Sequence, residues 1–294
     1  MADVASLLHW LDDSPTPFHS VSSAARMLDS AGFVKVMQLA GDLPERGYLV
    51  RDGSIAAWSH TGSIDSFRIV GGHTDSPNLR VHPNPDISAA GWSQLGIEIY
   101  GGVLLNSWLD RDLGIAGRVV SGDGTVREFC DRSPLARVPQ LAVHLDRDVN
   151  ERGVQLDRQS HMMPVWATTS VTFGDWLRET SGTDDIAAFD AHLFDVSPAA
   201  VLGADGSLVA SGRLDNQLSC WAATTAMASH GGGPHTAVMV LNDHEEVGSD
   251  SATGASGPLL ESVLTALCES HGLGATARHD VFARSTCLSA DNAH

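Results

Sequence analysis

Positive charge is scarce in this sequence: 18 Lys and Arg stand against 36 Asp and Glu, a formal net charge of −18 over 294 residues. Nucleic acid and anionic membranes both require a basic face, so neither is expected as the principal partner. The same excess does not define the substrate, because a basic pocket can sit inside an acidic protein. Cysteine is sparse as well. Cys130, Cys220, Cys268 and Cys287 are scattered and form no Cys-x-x-Cys pair. They outline no disulfide framework and fit a reducing, cytoplasmic setting. Long apolar runs are missing too: none approaches the roughly 18 residues of a membrane span. The opening MADVASLLHWLDDSPTPF has no basic start and is cut by Asp12 and Asp13, which a signal peptide would not be.

What remains is an ordinary globular composition, 43% hydrophobic and 18% charged, able to bury a core without staples. The length favours two domains. Leu7, Leu8 and Leu11 form one helical stripe, broken at Ser14–Pro17. A second helix follows Phe18, with Val21, Ala25, Met27 and Leu28 inward and Gly32 as its stop. Tyr48–Arg51 and Ile55–Trp58 flank Asp52-Gly53, a hairpin signal. Phe67–Val70 reads as a strand running directly into Gly71-Gly72-His73, and open α/β sheets keep their sites at strand carboxyl ends.

From about Arg80 to about Ala200 the texture turns β-rich, with short runs such as Leu95–Tyr100, Ile115–Val120 and Leu141–His144 and a turn at Gly122-Asp123-Gly124. Near Leu208–Gly212 the α/β pattern resumes. Leu214, Leu218, Trp221, Ala222 and Thr225 fall at helical spacing, Ala237–Leu241 reads as a buried strand, and Leu259, Leu260, Val263, Leu264 and Leu267 make another amphipathic helix. The expected fold is α/β. A mixed-sheet catalytic domain formed by residues 1–80 and 204–294 is interrupted by a β-rich insertion at 81–203.

Four short segments carry chemistry, and each also has an unremarkable reading. In His73-Thr74-Asp75-Ser76-Pro77 the imidazole can bind a metal while the nearby carboxylate orients the ring; a surface turn with a solvated His is the alternative. Asp215 in Leu214-Asp215-Asn216 can bridge two cations, or simply cap the helix it opens. In Asn242-Asp243-His244-Glu245-Glu246-Val247-Gly248-Ser249, adjacent carboxylates are costly to hold together unless a cation compensates them. One Glu can then bind metal while the other moves protons; an exposed acidic turn is the alternative. Asp291 in Ser289-Ala290-Asp291-Asn292-Ala293-His294 says nothing by itself. Taken together, at element boundaries and in this order, these groups supply ligands for a pair of divalent ions.

HTDSP, SGRLDN, NDHEEVGS and SADNAH at these intervals resemble the M18 metallopeptidases, the aspartyl aminopeptidase family. SPTPFH, Asn106–Leu113 and Pro139–Asn150 also look like that family, so the resemblance covers essentially the whole chain. It implies that His73 binds one zinc, with Asp75 as supporting carboxylate and Asp291 completing that site. Asp215 would bridge both ions, Glu246 would bind the second, and Glu245 would be the general base and acid. Zinc is the implied metal, with manganese or cobalt as substitutes. The β-rich insertion would be a dimerisation domain in a homo-oligomer, a dodecamer built from dimers, whose His144 lies near a neighbouring subunit's site. The implied substrates are peptides with N-terminal Asp or Glu. Arg80 and Arg111 are candidates to pair with such a side chain, although exposed arginines are the plainer reading.

Family members continue well past the SADxAH segment and carry a further metal-binding histidine there. His294 continues the motif rather than replacing that histidine, so the expectation is a chain truncated at its carboxyl end. Gln217 stands where an aliphatic or basic residue is common, and little is expected of it. Two other functions stay open: a dizinc aminopeptidase or deacylase of other specificity, and a non-catalytic remnant or assembly subunit.

Overall fold

A computed structural model describes residues 4–292. The elements run α1 (Val4–Asp13), α2 (Pro17–Ser30), β1 (Val34–Lys35), β2 (Arg46–Arg51), β3 (Ser54–Ser59), β4 (Phe67–His73), β5 (Asn78–Ala89), β6 (Trp92–Tyr100), β7 (Leu113–Val120) and β8 (Val126–Ala136). After these come α3 (Val149–Arg152), β9 (Val165–Ala167), α4 (Phe173–Ser181), β10 (Ala188–Asp195), β11 (Ala200–Leu202), β12 (Leu208–Ala210), α5 (Leu214–Ser229), β13 (Thr236–Asn242), α6 (Leu259–Ser270), α7 (Ala275–Ala283) and β14 (Thr286–Ser289). Contacts divide the chain into two compact units: Pro77–Pro198 forms one, and the residues up to Ser76 join those from Ala199 onward to form the other.

The first unit is an α/β fold on a mixed six-stranded sheet, ordered β1-β2-β3-β13-β4-β14. β3 runs antiparallel to β13, whereas β13, β4 and β14 are mutually parallel neighbours. Side chains alternate across a strand, and β13 shows the result. Met239 and Leu241 pack with Leu11, Leu28 and Trp221 of α1, α2 and α5, while Val238 and Val240 pack with Val263, Leu267 and Val281 of α6 and α7. Both sheet faces are covered, so β3 is buried along its whole length.

Local chemistry sets the element ends. Thr16 caps α2 by accepting a hydrogen bond from the His19 amide, and Pro17 occupies its first turn, where a missing N–H costs nothing. Asp52 adopts the left-handed conformation (φ 51°) in the β2–β3 turn. Gly53 follows because a Cβ there would lie 2.1 Å from Asp243 Oδ2.

Two helix faces differ from the sequence expectation. Trp10, not Leu8, completes the buried stripe of α1. In α5, Ala222 is exposed and the inward residues are Gln217, Cys220, Trp221, Thr224 and Met227. Asp215 and Asn216 have non-helical backbone. The regular helix therefore starts after them, and its buried stripe falls one residue earlier than a count from Leu214 places it.

The second unit is built on an antiparallel sheet ordered β8-β7-β10-β5-β6-β9. Its core gathers Leu79, Leu95, Leu113, Ile115, Val119, Leu193 and, from α4, Phe173 and Leu177. Leu141–His144 is not a strand. The Leu145 amide donates to the Ala142 carbonyl at 2.8 Å, which closes a local turn, and Leu141, Val143 and Leu145 are exposed. The alternation of apolar residues mimicked a strand, but the backbone there bonds to itself rather than to a sheet edge. The contact boundaries fall at Ser76–Pro77 and Pro198–Ala199, so the β11–β12 hairpin belongs wholly to the first unit.

Gly117 of β7 pairs with Ala191 of β10, and a Cβ on it would lie 1.9 Å from the Asp190 carbonyl oxygen. Gly117→Ala is therefore expected to destabilise the protein by about 1–3 kcal/mol through overpacking. Gly174→Ala, in α4 with open space around it, should be neutral or gain about 0.5–1 kcal/mol of helix propensity. Urea midpoints followed by tryptophan fluorescence check this; equal midpoints for the two variants would contradict it.

Candidate metal centre

Three parallel strands end side by side. In the register, Gly72 of β4 pairs with Leu241 of β13 and His73 with Asn242, while Ser289 of β14 pairs with Gly71. Their carboxyl ends deliver His73, the turn that follows Asn242, and Asp291 to one edge of the sheet, the position where open α/β sheets gather functional groups. The start of α5 supplies Asp215. There the backbone leaves helical geometry at Asp215 and Asn216, so the aspartate is not a plain helix cap.

The imidazole of His73 is the hub. It is almost fully buried, and its Nε2 lies 3.3 Å from Asp215 Oδ1, 3.6 Å from Asp291 Oδ1 and 3.9 Å from Glu245 Oε2. Donor atoms of His73, Asp215 and Asp291 all fall within 4.8 Å of one another, as do those of His73, Glu245 and Glu246. The other ring nitrogen, Nδ1, lies 3.1 Å from the Asp75 carbonyl oxygen and 3.3 Å from Asp75 Oδ1.

Asp75 is completely buried and also holds the acidic turn. Its two carboxylate oxygens each accept a backbone amide, Oδ1 from Glu245 and Oδ2 from Glu246, at 3.1 Å. Left-handed residues on both sides make that turn, His244 (φ 63°) before and Gly248 (φ 101°) after. The non-glycine residue pays roughly 1–2 kcal/mol for this conformation. Bonds from its amide to Asp243 Oδ1 and between its Nδ1 and Ser251 Oγ, both 2.8 Å, hold it there. From the β2–β3 hairpin, Ser54 Oγ accepts the Asp243 amide at 2.8 Å and donates to the Thr253 carbonyl at 2.7 Å.

The electrostatics follow from this crowding. Burial alone would lower the His73 pKa, but the hydrogen bond and charge of Asp75, then the charges of Glu245 and Asp215, push it up to about 9. Glu246 is pushed up to about 7 by burial; His73 opposes that shift, and the negative charges of Asp75, Asp215 and Glu245 add to it. Both shifts say that the cluster favours added positive charge. One imidazole among several carboxylates is also the donor chemistry of zinc, manganese or cobalt sites. The residues present therefore fit a divalent cation.

The remaining sequence candidates belong to the second unit or fall outside the described residues. His144 is exposed in a turn of the second unit. In that unit Arg80 donates to both carboxylate oxygens of Asp190 and Arg111 pairs with Asp195, so both arginines are engaged rather than simply solvated. His294 lies outside the described residues. Polar groups that no sequence motif marks hold the site's backbone. Ser76 Oγ donates to the Asp215 carbonyl at 2.8 Å, and Asn216 Nδ2 donates to the Ala290 carbonyl at 2.8 Å. Asn292 Nδ2 donates to the Leu214 carbonyl, and Gln217 is buried at the start of the regular helix. The signal available for Gln217 was a polar residue beside the apolar stripe of a helix, since a buried amide requires partners.

Comparison with known proteins bears on this geometry. The model of the aminopeptidase I zinc metalloprotease (M18) family matches residues 10–294. A probable M18 family aminopeptidase 2 of Streptomyces coelicolor is 46% identical, the match covering 98% of this chain and 70% of that relative. Among solved structures, Ape4 in complex with Nbr1 superposes with a TM-score of 0.89 at 29% identity, covering 99% of this chain and 63% of that one. The mApe1 structure of Chaetomium thermophilum gives a TM-score of 0.87 at 29% identity, covering 98% of this chain and 74% of that one. The mApe1 dodecamer of S. cerevisiae, at 23% identity and a TM-score of 0.79 over 99% of this chain and 72% of that one, shares the fold. The chain thus spans less than two thirds of the Ape4 chain it matches. Its sequence and its fold together place this protein in the aminopeptidase I zinc metalloprotease family, M18.

Proposed function

We propose that this protein removes single N-terminal residues from peptides, preferring Asp and Glu, with two divalent cations at the His73 cluster. The observation that carries the reading is the convergence of Asp215, Asp291 and Glu245 on the single nitrogen His73 Nε2. His73, Asp215 and Asp291 would hold one ion, and Asp215 with Glu246 would serve the second. Bound there, the ions would acidify water, polarise the scissile carbonyl and hold the free α-amine. Glu245 is half-exposed, so it can reach water and substrate while its backbone is fixed by Asp75. It takes a proton from the attacking water and returns it to the departing amine. Asp75 sets the orientation of the His73 ring and keeps Nε2 toward the carboxylates.

The acidic preference rests on the family resemblance. The Pro77–Pro198 unit would mediate self-association, with His144 at the interface; the dodecameric assembly of S. cerevisiae mApe1 supports a homo-oligomer. The four free cysteines suit a reducing cytoplasm, and no helix among the described residues is long and apolar enough to cross a membrane.

Three outcomes are expected. Glu245→Gln should retain metal while kcat falls by about 10²–10⁴-fold, the usual worth of a general base; near-normal turnover would remove Glu245 from that role. Asp215→Ala should lower the metal-to-protein ratio measured by elemental analysis, and an unchanged ratio would count against bridging. In a panel of aminoacyl substrates, kcat/KM should be highest for N-terminal Asp and Glu, and a preference for Leu or Ala would assign another specificity.

A further inference from the structure

The segment His73–Asp75 supplies both the hub imidazole and the carboxylate that fixes the acidic turn, so the two peptide carbonyls within it need fixed partners. Both partners come from one face of α5. Cys220 Sγ donates to the His73 carbonyl at 2.9 Å, and Gln217 Nε2 donates to the Thr74 carbonyl at 2.7 Å. The Cys220 thiol is fully buried.

Gln217 reaches further. It is 1% exposed, and its Oε1 accepts from Trp10 Nε1 of α1 at 3.1 Å and from Ser20 Oγ of α2 at 2.8 Å. The orientation of its amide is dictated by its neighbours. An indole nitrogen can only donate and a peptide carbonyl can only accept, so the oxygen must face Trp10 and the nitrogen must face Thr74. One side chain therefore joins α1, α2, α5 and the His73–Asp75 segment through three hydrogen bonds. An aliphatic residue at 217 would leave the Trp10 N–H and this bond of the Thr74 carbonyl without that partner.

We infer that Gln217 is a positioning residue of the metal centre: by holding the Thr74 carbonyl from α5, it sets the directions in which His73 and Asp75 leave the end of β4. Its amide is taken up by Trp10, Ser20 and Thr74, so it acts through the backbone between those two side chains. The inference rests on the metal-centre reading above and adds to it the residue that aligns the His73–Asp75 pair with Asp215.

The test is zinc affinity of the intact protein, measured by competition with a chromophoric chelator and compared with the melting temperature of each variant. Gln217→Met, similar in length but without the amide, should weaken zinc binding by about tenfold or more, the size of effect seen when groups that orient metal ligands are removed. In turnover assays the loss should appear in kcat, with KM held within about twofold. Trp10→Phe removes one bond to the same amide but leaves the Thr74 bond in place. It should lower the melting temperature while keeping zinc affinity within about twofold. Gln217→Leu likewise has nothing to donate to Thr74 and carries no charge, so it should weaken zinc binding and keeps the test open if the Met variant fails to fold.

Wild-type zinc affinity in Gln217→Met, or an equal loss in Trp10→Phe, would overturn the positioning role alone. Zinc binding that His73→Ala leaves intact would overturn the metal-centre reading and this inference with it.

Discussion

The site depends on one buried carboxylate. Asp75 has no exposure, and a fully buried carboxylate is stable only when it is paired and hydrogen-bonded. Its two oxygens are used on the amides of Glu245 and Glu246, and it also faces the His73 ring. Where the β4–β13 ladder stops at His73 and Asn242, this side chain carries the connection on, tying the segment with the imidazole to the turn with the paired glutamates. Those glutamates are held by their backbone, which leaves their side chains to respond to charge. The Glu245 carboxylate can stay half-exposed while the peptide that carries it is locked.

The same geometry accounts for the charge balance. Carboxylates from three segments distant in sequence join Asp75, two residues along the chain, at one imidazole. Burial first, and then the like charges around it, raise the proton affinity of Glu246, while the Asp75 hydrogen bond and the opposite charges raise that of His73 against its burial. Such a cluster is unfavourable as a purely structural device, because nothing in its packing requires so many acids at one point. It is understandable as a receptor for cations, in line with the zinc metalloprotease family to which the chain belongs.

Much of this was legible in the sequence because strand ends and their chemical groups are local features. Phe67–Val70 running into Gly71-Gly72-His73, Ala237–Leu241 running into the glutamate pair, and the Asp52-Gly53 hairpin each place a side chain by short-range pattern. What could not be read were contacts that join distant segments. Gln217 looked inconsequential because its three partners lie on α1, on α2 and beside His73, and no periodicity links those positions. The Leu141–His144 run failed for a related reason. Alternating apolar residues describe a strand only if a neighbouring strand edge accepts them, and here the backbone closed on itself. Helical spacing marks the helix after Asp215, but its buried face is displaced because the non-helical start of the segment cannot be seen in residue types.

The register of the second unit has a kinetic consequence. His73 and Asp215 are separated by the whole of Pro77–Pro198, and closing a flexible loop of that length costs on the order of 4 kcal/mol in chain entropy. Within that unit, however, β5 pairs with β10 so that Leu79 stands opposite Leu193 and Arg80 opposite His192. Its two ends are thus adjacent once its own sheet has formed. An insertion that folds first hands the chain back close to where it left, and the loop between His73 and Asp215 becomes effectively short. Early folding of the inserted unit would then speed assembly of a site to which it contributes none of the clustered carboxylates.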